Sequence, residues 1–167
     1  KEDFAWIDKI PGKKIILKGN HDYWWSTNAK FMKFCEENGF SNQHILNNNC
    51  YTYGDWAICG TRGWFFEENR GSEHDEKVFK RELLRLEASL KAAGDMPKMV
   101  FLHYPPVYAG QECPEILDVL REEGIDRCYY GHIHSKGIRQ AVRGEIDGIY
   151  YELISADALQ FCPMKLG

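Results

Sequence analysis

The stretch of sequence that decides the fold is Ile15-Ile16-Leu17-Lys18-Gly19-Asn20-His21-Asp22. Its three consecutive apolar residues predict a short buried strand, and the polar residues after them predict a loop at the carboxyl end of that strand. The same arrangement occurs twice more. Met99-Val100-Phe101-Leu102 runs into His103, and Cys128-Tyr129-Tyr130 runs into Gly131-His132-Ile133-His134. The sequence therefore predicts three strands that each end in a histidine-containing loop.

Helices and hairpins are predicted between and around these strands. Amphipathic patterns with capping residues predict one helix that starts after Ser26 or Asn28 and ends near Gly39, and two more over residues 75–93 and 114–123. Hairpins are predicted over residues 51–59 and 138–154, with turns at Gly54-Asp55 and Asp147-Gly148. This order predicts a single layered α/β domain over residues 1–167.

The three polar loops are expected to form one site, because ligands of open α/β sheets bind beyond the carboxyl ends of the strands. Histidine nitrogens and asparagine oxygens are suitable ligands for a first-row metal ion. Each loop taken alone has an ordinary explanation: an Asx turn at Asn20, a core histidine at His103, and two side chains that point apart at His132 and His134. All three loops together predict a metal site.

In the order Gly19-Asn20-His21-Asp22, Leu102-His103 and Gly131-His132-Ile133-His134, these motifs resemble the third, fourth and fifth motifs of the calcineurin-like metallophosphoesterases. Residues 18–25 also resemble a bacterial subgroup of predicted phosphoesterases. The resemblance extends from about Ile15 to His134. It implies an α/β fold that is part of a four-layer α/β/β/α sandwich.

The resemblance also implies a function and a role for each residue. The function is hydrolysis of phosphate mono- or diesters at a centre of two divalent ions (Mn, Fe or Zn), with metal-bound hydroxide as the nucleophile. Asn20, His103 and His132 would bind one ion, and His134 would bind the other. His21 would act as a general acid at the leaving-group oxygen, and Asp22 would orient it.

Two motifs of this family are not found. The eighteen residues before Gly19 contain neither an Asp-x-His motif nor a Gly-Asp-x-x-Asp-like motif. Asp3 and Asp8 lie in a predicted helix, and Gly54-Asp55 and Gly94-Asp95 come too late in the chain. We therefore expect a domain whose N-terminal part is missing, an incomplete metal centre, and little or no hydrolase activity from this chain alone. The strand edges left exposed predict a homo-oligomer.

Composition narrows the range of partners. The formal net charge of −4 argues against long nucleic acids as partners. It is compatible with a phosphorylated small-molecule substrate, because a metal ion can supply local positive charge. No apolar run is long enough to span a membrane. The six cysteines are scattered without a Cys-x-x-Cys pair, which predicts reduced thiols in a cytoplasmic protein.

Two other functions remain open from the residues alone. One is a non-catalytic binding or scaffold module with the same fold. The other is a mononuclear zinc hydrolase that uses Asn20, His103 and His132. Arg62 or Arg70, in the loop after the first hairpin, could bind a phosphate group or form an ordinary salt bridge.

Overall fold

A computed structural model describes residues 1–22, 27–64 and 73–166. The helices within these ranges are α1 (Glu2–Lys9), α2 (Asn28–Asn38), α3 (Glu73–Ala92) and α4 (Pro114–Glu122), with a 3-10 helix at Ser135–Gln140. The strands are β1 (Lys14–Leu17), β2 (Gln43–Leu46), β3 (Tyr51–Tyr53), β4 (Trp56–Thr61), β5 (Lys98–Leu102), β6 (Val107–Tyr108), β7 (Gln111–Glu112), β8 (Arg127–Tyr130), β9 (Gly144–Ile146) and β10 (Ile149–Leu153).

The central sheet is mixed. Its strand order is β3-β4-β5-β8-β10-β9; β4, β5, β8 and β10 are parallel, and antiparallel β3 and β9 form the edges. A separate parallel pair joins β1 to β2, and a short hairpin joins β6 to β7. The protein is therefore an α/β protein with a mixed central sheet, as the sequence predicted.

The long helix α3 packs on β4 and contributes much of the core. Phe79, Leu86 and Leu90 of its predicted apolar stripe are buried, since they recur on the face of the helix that meets the sheet. Ser89 on the same face donates its hydroxyl to the Asn49 carbonyl and accepts from the Gly60 N–H. The predicted helix is therefore confirmed. Its buried apolar side chains pack in the core, and its buried Ser89 hydroxyl is hydrogen-bonded.

Helix α2 ends as predicted but has a different cap. Thr27 is the N-cap, and its Oγ1 accepts a hydrogen bond from the Lys30 N–H at 3.2 Å. Gly39 closes the helix in the left-handed conformation, with φ of 71°, which glycine adopts without steric cost. The alternative cap Ser26 lies outside the described residues. Phe31 of α2 packs with Phe4 in a small second core.

The C-terminal hairpin is shorter than predicted. Only β9 and β10 form it, around the expected turn at Asp147-Gly148, while residues 138–140 belong to the 3-10 helix. Contacts with residues outside the predicted hairpin hold the chain there. Ala141 bridges to Tyr108, and the Val142 carbonyl accepts a hydrogen bond from the Tyr130 hydroxyl. The prediction of a strand starting at Ile138 was therefore wrong.

Strand β1 is half-buried, in contrast to the buried strand that was predicted. Its hydrogen-bonded partner among the described residues is β2, which the sequence analysis missed. β2 begins with the polar Gln43, whose buried amide donates to the Phe4 carbonyl at 2.8 Å. A buried polar residue at the start of a strand hides the apolar pattern that would predict it.

Two further observations concern the cysteines and the possibility of membrane-spanning helices. All six cysteines are free thiols. In the ranges that the structure describes, no helix is long and apolar enough to cross a membrane.

Candidate metal centre

Three of the predicted site residues meet at the ends of β1, β5 and β8. The Oδ1 atom of Asn20 lies 2.7 Å from Nε2 of His103, and Nδ1 of His132 lies 3.2 Å from the same nitrogen. β5 and β8 are neighbours in the central sheet, with Leu102 paired to Tyr130, so the residues that follow them emerge side by side. Asn20 comes from the loop after β1, which belongs to the other sheet.

Gly19 allows the β1 loop to approach His103 closely. It is buried, and a Cβ atom at this position would lie 2.9 Å from Cε1 and 3.1 Å from Nδ1 of the His103 ring. Its N–H donates to Oδ2 of Asp22 at 2.7 Å, which closes the turn around Asn20. The glycine is required here for space, because any larger residue would push the loop away from His103.

His132 adopts an unusual backbone conformation, with φ of 66°. Left-handed conformations are uncommon for residues other than glycine and often mark functional sites. The flanking chain holds it in place: the Gly131 N–H donates to the Leu102 carbonyl at 3.2 Å, and the Ile133 N–H donates to the Gly131 carbonyl at 2.8 Å. The backbone strain coincides with the residue whose imidazole contacts His103.

The electrostatic surroundings keep His103 neutral. Burial is the main cause that lowers the pKa of His103 to about 4, and the neighbouring His132 lowers it further, with smaller effects from Arg62 and His21. The Asp22 carboxylate acts in the opposite direction. A histidine with this pKa is unprotonated at neutral pH, which is the state required of a metal ligand.

His134 is oriented separately from these three side chains. Its Nδ1 lies 2.8 Å from Oδ1 of Asp157, whose other oxygen accepts from the Ser135 N–H at 2.8 Å. The Ser135 N–H, followed by His134, lowers the pKa of the Asp157 carboxyl to about 2. A carboxylate that binds one ring nitrogen of a histidine leaves the second nitrogen available to a metal ion. This arrangement is characteristic of histidines that bind metals.

Asp157 was not predicted from the sequence. It follows β10, which is parallel to β8 and adjacent to it, so it emerges at the same edge of the sheet as His132 and His134. The available signal was a carboxylate just beyond the carboxyl end of a parallel strand.

Comparison with known proteins identifies the family to which this chain belongs. A family model described as calcineurin-like phosphoesterase matches residues 2–136. The chain belongs to the calcineurin-like phosphoesterase family. A solved crystal structure is similar in fold, with a TM-score of 0.57 at 11% identity over 90% of this chain. This chain covers 60% of the length of that structure. No curated protein matches this chain in sequence.

Members of the family typically bind two metal ions. In this chain, the donor atoms of Asn20 and His132 both lie close to Nε2 of His103. Around an octahedral ion with bonds of about 2.1 Å, adjacent ligands lie roughly 3 Å apart, close to the 2.7 and 3.2 Å found here. However, no group of three or more His, Cys, Asp or Glu side chains within the described ranges is placed to hold a metal. Asn20, His103 and His132 therefore fit a site for one ion. None of the three is a carboxylate that could bridge this ion to a second one.

The remaining predicted residues have mixed outcomes. His21 is exposed, and its charge acts on His103. Asp22 binds the backbone of Gly19, so its role toward His21 stays a prediction. Arg62 lies beside the site, where its carbonyl accepts hydrogen bonds from the N–H groups of His103 and Tyr104. Arg70 lies outside the described residues.

Proposed function

We propose that this chain provides part of a metal-dependent active site that hydrolyses phosphate mono- or diesters of small molecules. The observation that supports it most directly is the contact of Asn20 and His132 with a single nitrogen of His103. All three lie inside the region that matches the calcineurin-like phosphoesterases. Their neutral nitrogen and oxygen donors suit Mn, Fe or Zn.

The proposed metal centre uses two groups of side chains. Asn20, His103 and His132 would hold one ion, and His134, oriented by Asp157, would contribute to a second. When bound, the ions supply Lewis-acid chemistry that stabilises negative charge on the phosphoryl group.

The side chains of this chain have three tasks in the proposal. His103 stays unprotonated, because its pKa is lowered to about 4, and so keeps its lone pair for binding. His21 is exposed beside it and would give a proton to the oxygen of the leaving group. Asp22, fixed by the Gly19 N–H, would orient His21.

The proposed fold is one domain that forms part of a four-layer sandwich. The two inner layers would be the β1-β2 pair and the central sheet. A cleft of about 770 Å³ supports this arrangement, with mostly apolar walls that include Ile15 and Leu17 of β1 and Phe101 and Leu102 of β5.

The test compares this chain with a form extended at its N-terminus by a segment with the two absent carboxylate motifs. Elemental analysis and hydrolysis of bis-p-nitrophenyl phosphate are measured on both. We expect about two ions per chain and turnover from the extended form, and weak metal binding with little turnover from this chain. In the extended form, His132→Gln should remove activity. His44→Gln, a half-buried histidine on β2 outside the site, should retain it.

A non-catalytic binding or scaffold module is the second candidate. The observation that favours it is the lack, among the described residues, of a cluster of three His, Cys, Asp or Glu side chains. If neither form holds metal or hydrolyses the ester, the scaffold function is the better explanation. A single zinc ion with turnover would instead indicate a mononuclear hydrolase.

A further inference from the structure

A cationic pocket of about 340 Å³ lies beside the candidate metal centre. Four cationic side chains and one carboxylate are part of its lining: Lys18, Arg62, Arg81, Arg85 and Glu82. Two of these connect it to the site. Lys18 precedes Asn20 by two residues, and the Arg62 carbonyl accepts hydrogen bonds from the N–H groups of His103 and Tyr104.

The single carboxylate is already engaged and holds its partners in fixed positions. Glu82 is buried, and it accepts hydrogen bonds from Thr61 Oγ1 at 2.7 Å, Arg62 Nη2 at 3.3 Å and Arg85 Nη1 at 2.5 Å. A buried carboxylate that fixes two guanidinium groups pre-organises them, because little side-chain entropy is then lost when a ligand binds.

A third guanidinium group lies in the pocket besides this pair. Glu82 already pairs with Arg62 and Arg85, whereas Arg81 forms no ion pair with any residue that the structure describes. The Nε atom of Arg62 is buried and has no hydrogen-bond acceptor among the residues that the structure describes. The first residues of α2, Thr27 and Asn28, also line the pocket and add the positive end of a helix dipole.

The chemistry of these groups selects a phosphoryl ligand. Guanidinium groups present several donors in a plane and bind phosphate oxygens in pairs. If the arginines served only to balance Glu82, Arg62 and Arg85 would suffice, whereas Arg81 is a third guanidinium group on the same walls.

We propose that this pocket binds a second phosphoryl group of the substrate, so that the preferred substrate is an ester carrying two phosphates. The proposal rests on the proposed phosphoesterase function, because the first phosphoryl group would lie at the metal centre.

The first experiment isolates the pocket from the metal centre. Inorganic phosphate is titrated calorimetrically into the chain after EDTA treatment, at low ionic strength. We expect saturable binding that Arg81→Gln weakens about three- to tenfold. Lys80→Gln removes the same charge from the adjacent exposed position of α3, outside the pocket, and should leave the affinity unchanged. No binding, or an equal loss in both variants, would overturn the proposal.

The second experiment separates a substrate subsite from a site for free phosphate. Adenosine 3′,5′-bisphosphate and adenosine 5′-monophosphate are titrated into the Mn²⁺-loaded form that is extended at its N-terminus. We expect the bisphosphate to bind about tenfold more tightly, with this gain lost in Arg81→Gln. Equal affinities beside intact phosphate binding would mean an effector site and would refute the substrate assignment.

The two experiments also distinguish failure of the pocket from failure of the proposed function. If the form extended at its N-terminus binds no Mn²⁺, the metal centre fails, yet the EDTA-treated titration still reports on the pocket. If Mn²⁺ binds and phosphate does not, only the pocket is refuted. Because Arg81 is exposed, its variant should unfold at the same urea concentration as the parent chain, so misfolding does not obscure the result.

Discussion

Gly19→Ala should damage the metal centre through a single added methyl group. The new Cβ would lie 2.9 Å from Cε1 and 3.1 Å from Nδ1 of His103. Carbon atoms need about 3.5 Å, so the ring and the loop must separate by roughly 0.5 Å. His103 cannot move freely, because its Nε2 contacts Asn20 and His132.

The size of the effect follows from this displacement. Overpacking of this kind costs about 1–3 kcal/mol of stability. Ligand distances must hold to about 0.2 Å for a good metal site, so metal affinity should fall about tenfold or more. The assays are urea unfolding in EDTA and calorimetric titration with Mn²⁺.

Gly131→Ala is the matched control. It lies at the same site, yet its Cβ would be 3.7 Å from the His103 carbonyl oxygen and 3.9 Å from Nδ1, which are ordinary contact distances. This variant should keep its stability and its Mn²⁺ affinity. Equal affinities for the two alanine variants would refute the argument that Gly19 is required to position His103.

Three further predictions concern other contacts. Asp157→Asn should lower metal affinity about tenfold, because His134 loses the carboxylate that orients its ring; a metal titration checks this. Thr61→Val should cost about 1–3 kcal/mol, because Glu82 loses a 2.7 Å hydrogen bond inside the core; urea unfolding measures it. The metal-free chain should lose stability as pH falls from about 6.5 toward 4, because in this range His103 is protonated in the unfolded chain and neutral in the folded chain. Thermal unfolding across that range tests it.

Each of these predictions has its own control. Asp147→Asn removes an exposed carboxylate paired with Arg121 and should not change metal affinity. Thr52→Val alters an exposed threonine on β3 and should leave stability nearly unchanged. His103→Gln should flatten the pH dependence; a slope as steep as that of the parent chain would assign it to other groups.

The sequence predicted the parts of the fold that local patterns determine. Helix α3 has an apolar stripe at helical spacing, and β5 and β8 are apolar runs that stop at polar loops. His103 and His132 could be predicted together because His103 directly follows one such run and His132 comes two residues after the other. Their proximity depends only on two neighbouring strands ending at the same edge.

The parts that escaped prediction depend on contacts between distant segments. Asp157 has no pattern around it, and its role appears only when β10 lies beside β8 and brings it to His134. Arg81 fits the polar face of an amphipathic helix, and nothing in its sequence neighbours indicates a pocket. β2 could not be predicted because Gln43 is buried through a hydrogen bond to Phe4, 39 residues away in the chain.

The three side chains of the proposed first ion are held in place by different parts of the fold. His103 and His132 follow residues that are paired in one sheet, so the register of β5 and β8 fixes their separation. Asn20 belongs to the loop of another sheet and reaches His103 only because Gly19 has no side chain. The affinity of this site is therefore coupled to how the two sheets pack, and not only to its ligands. A substitution in the apolar cleft between the sheets, distant from every ligand, should act on metal binding through Asn20 before it affects the two histidines.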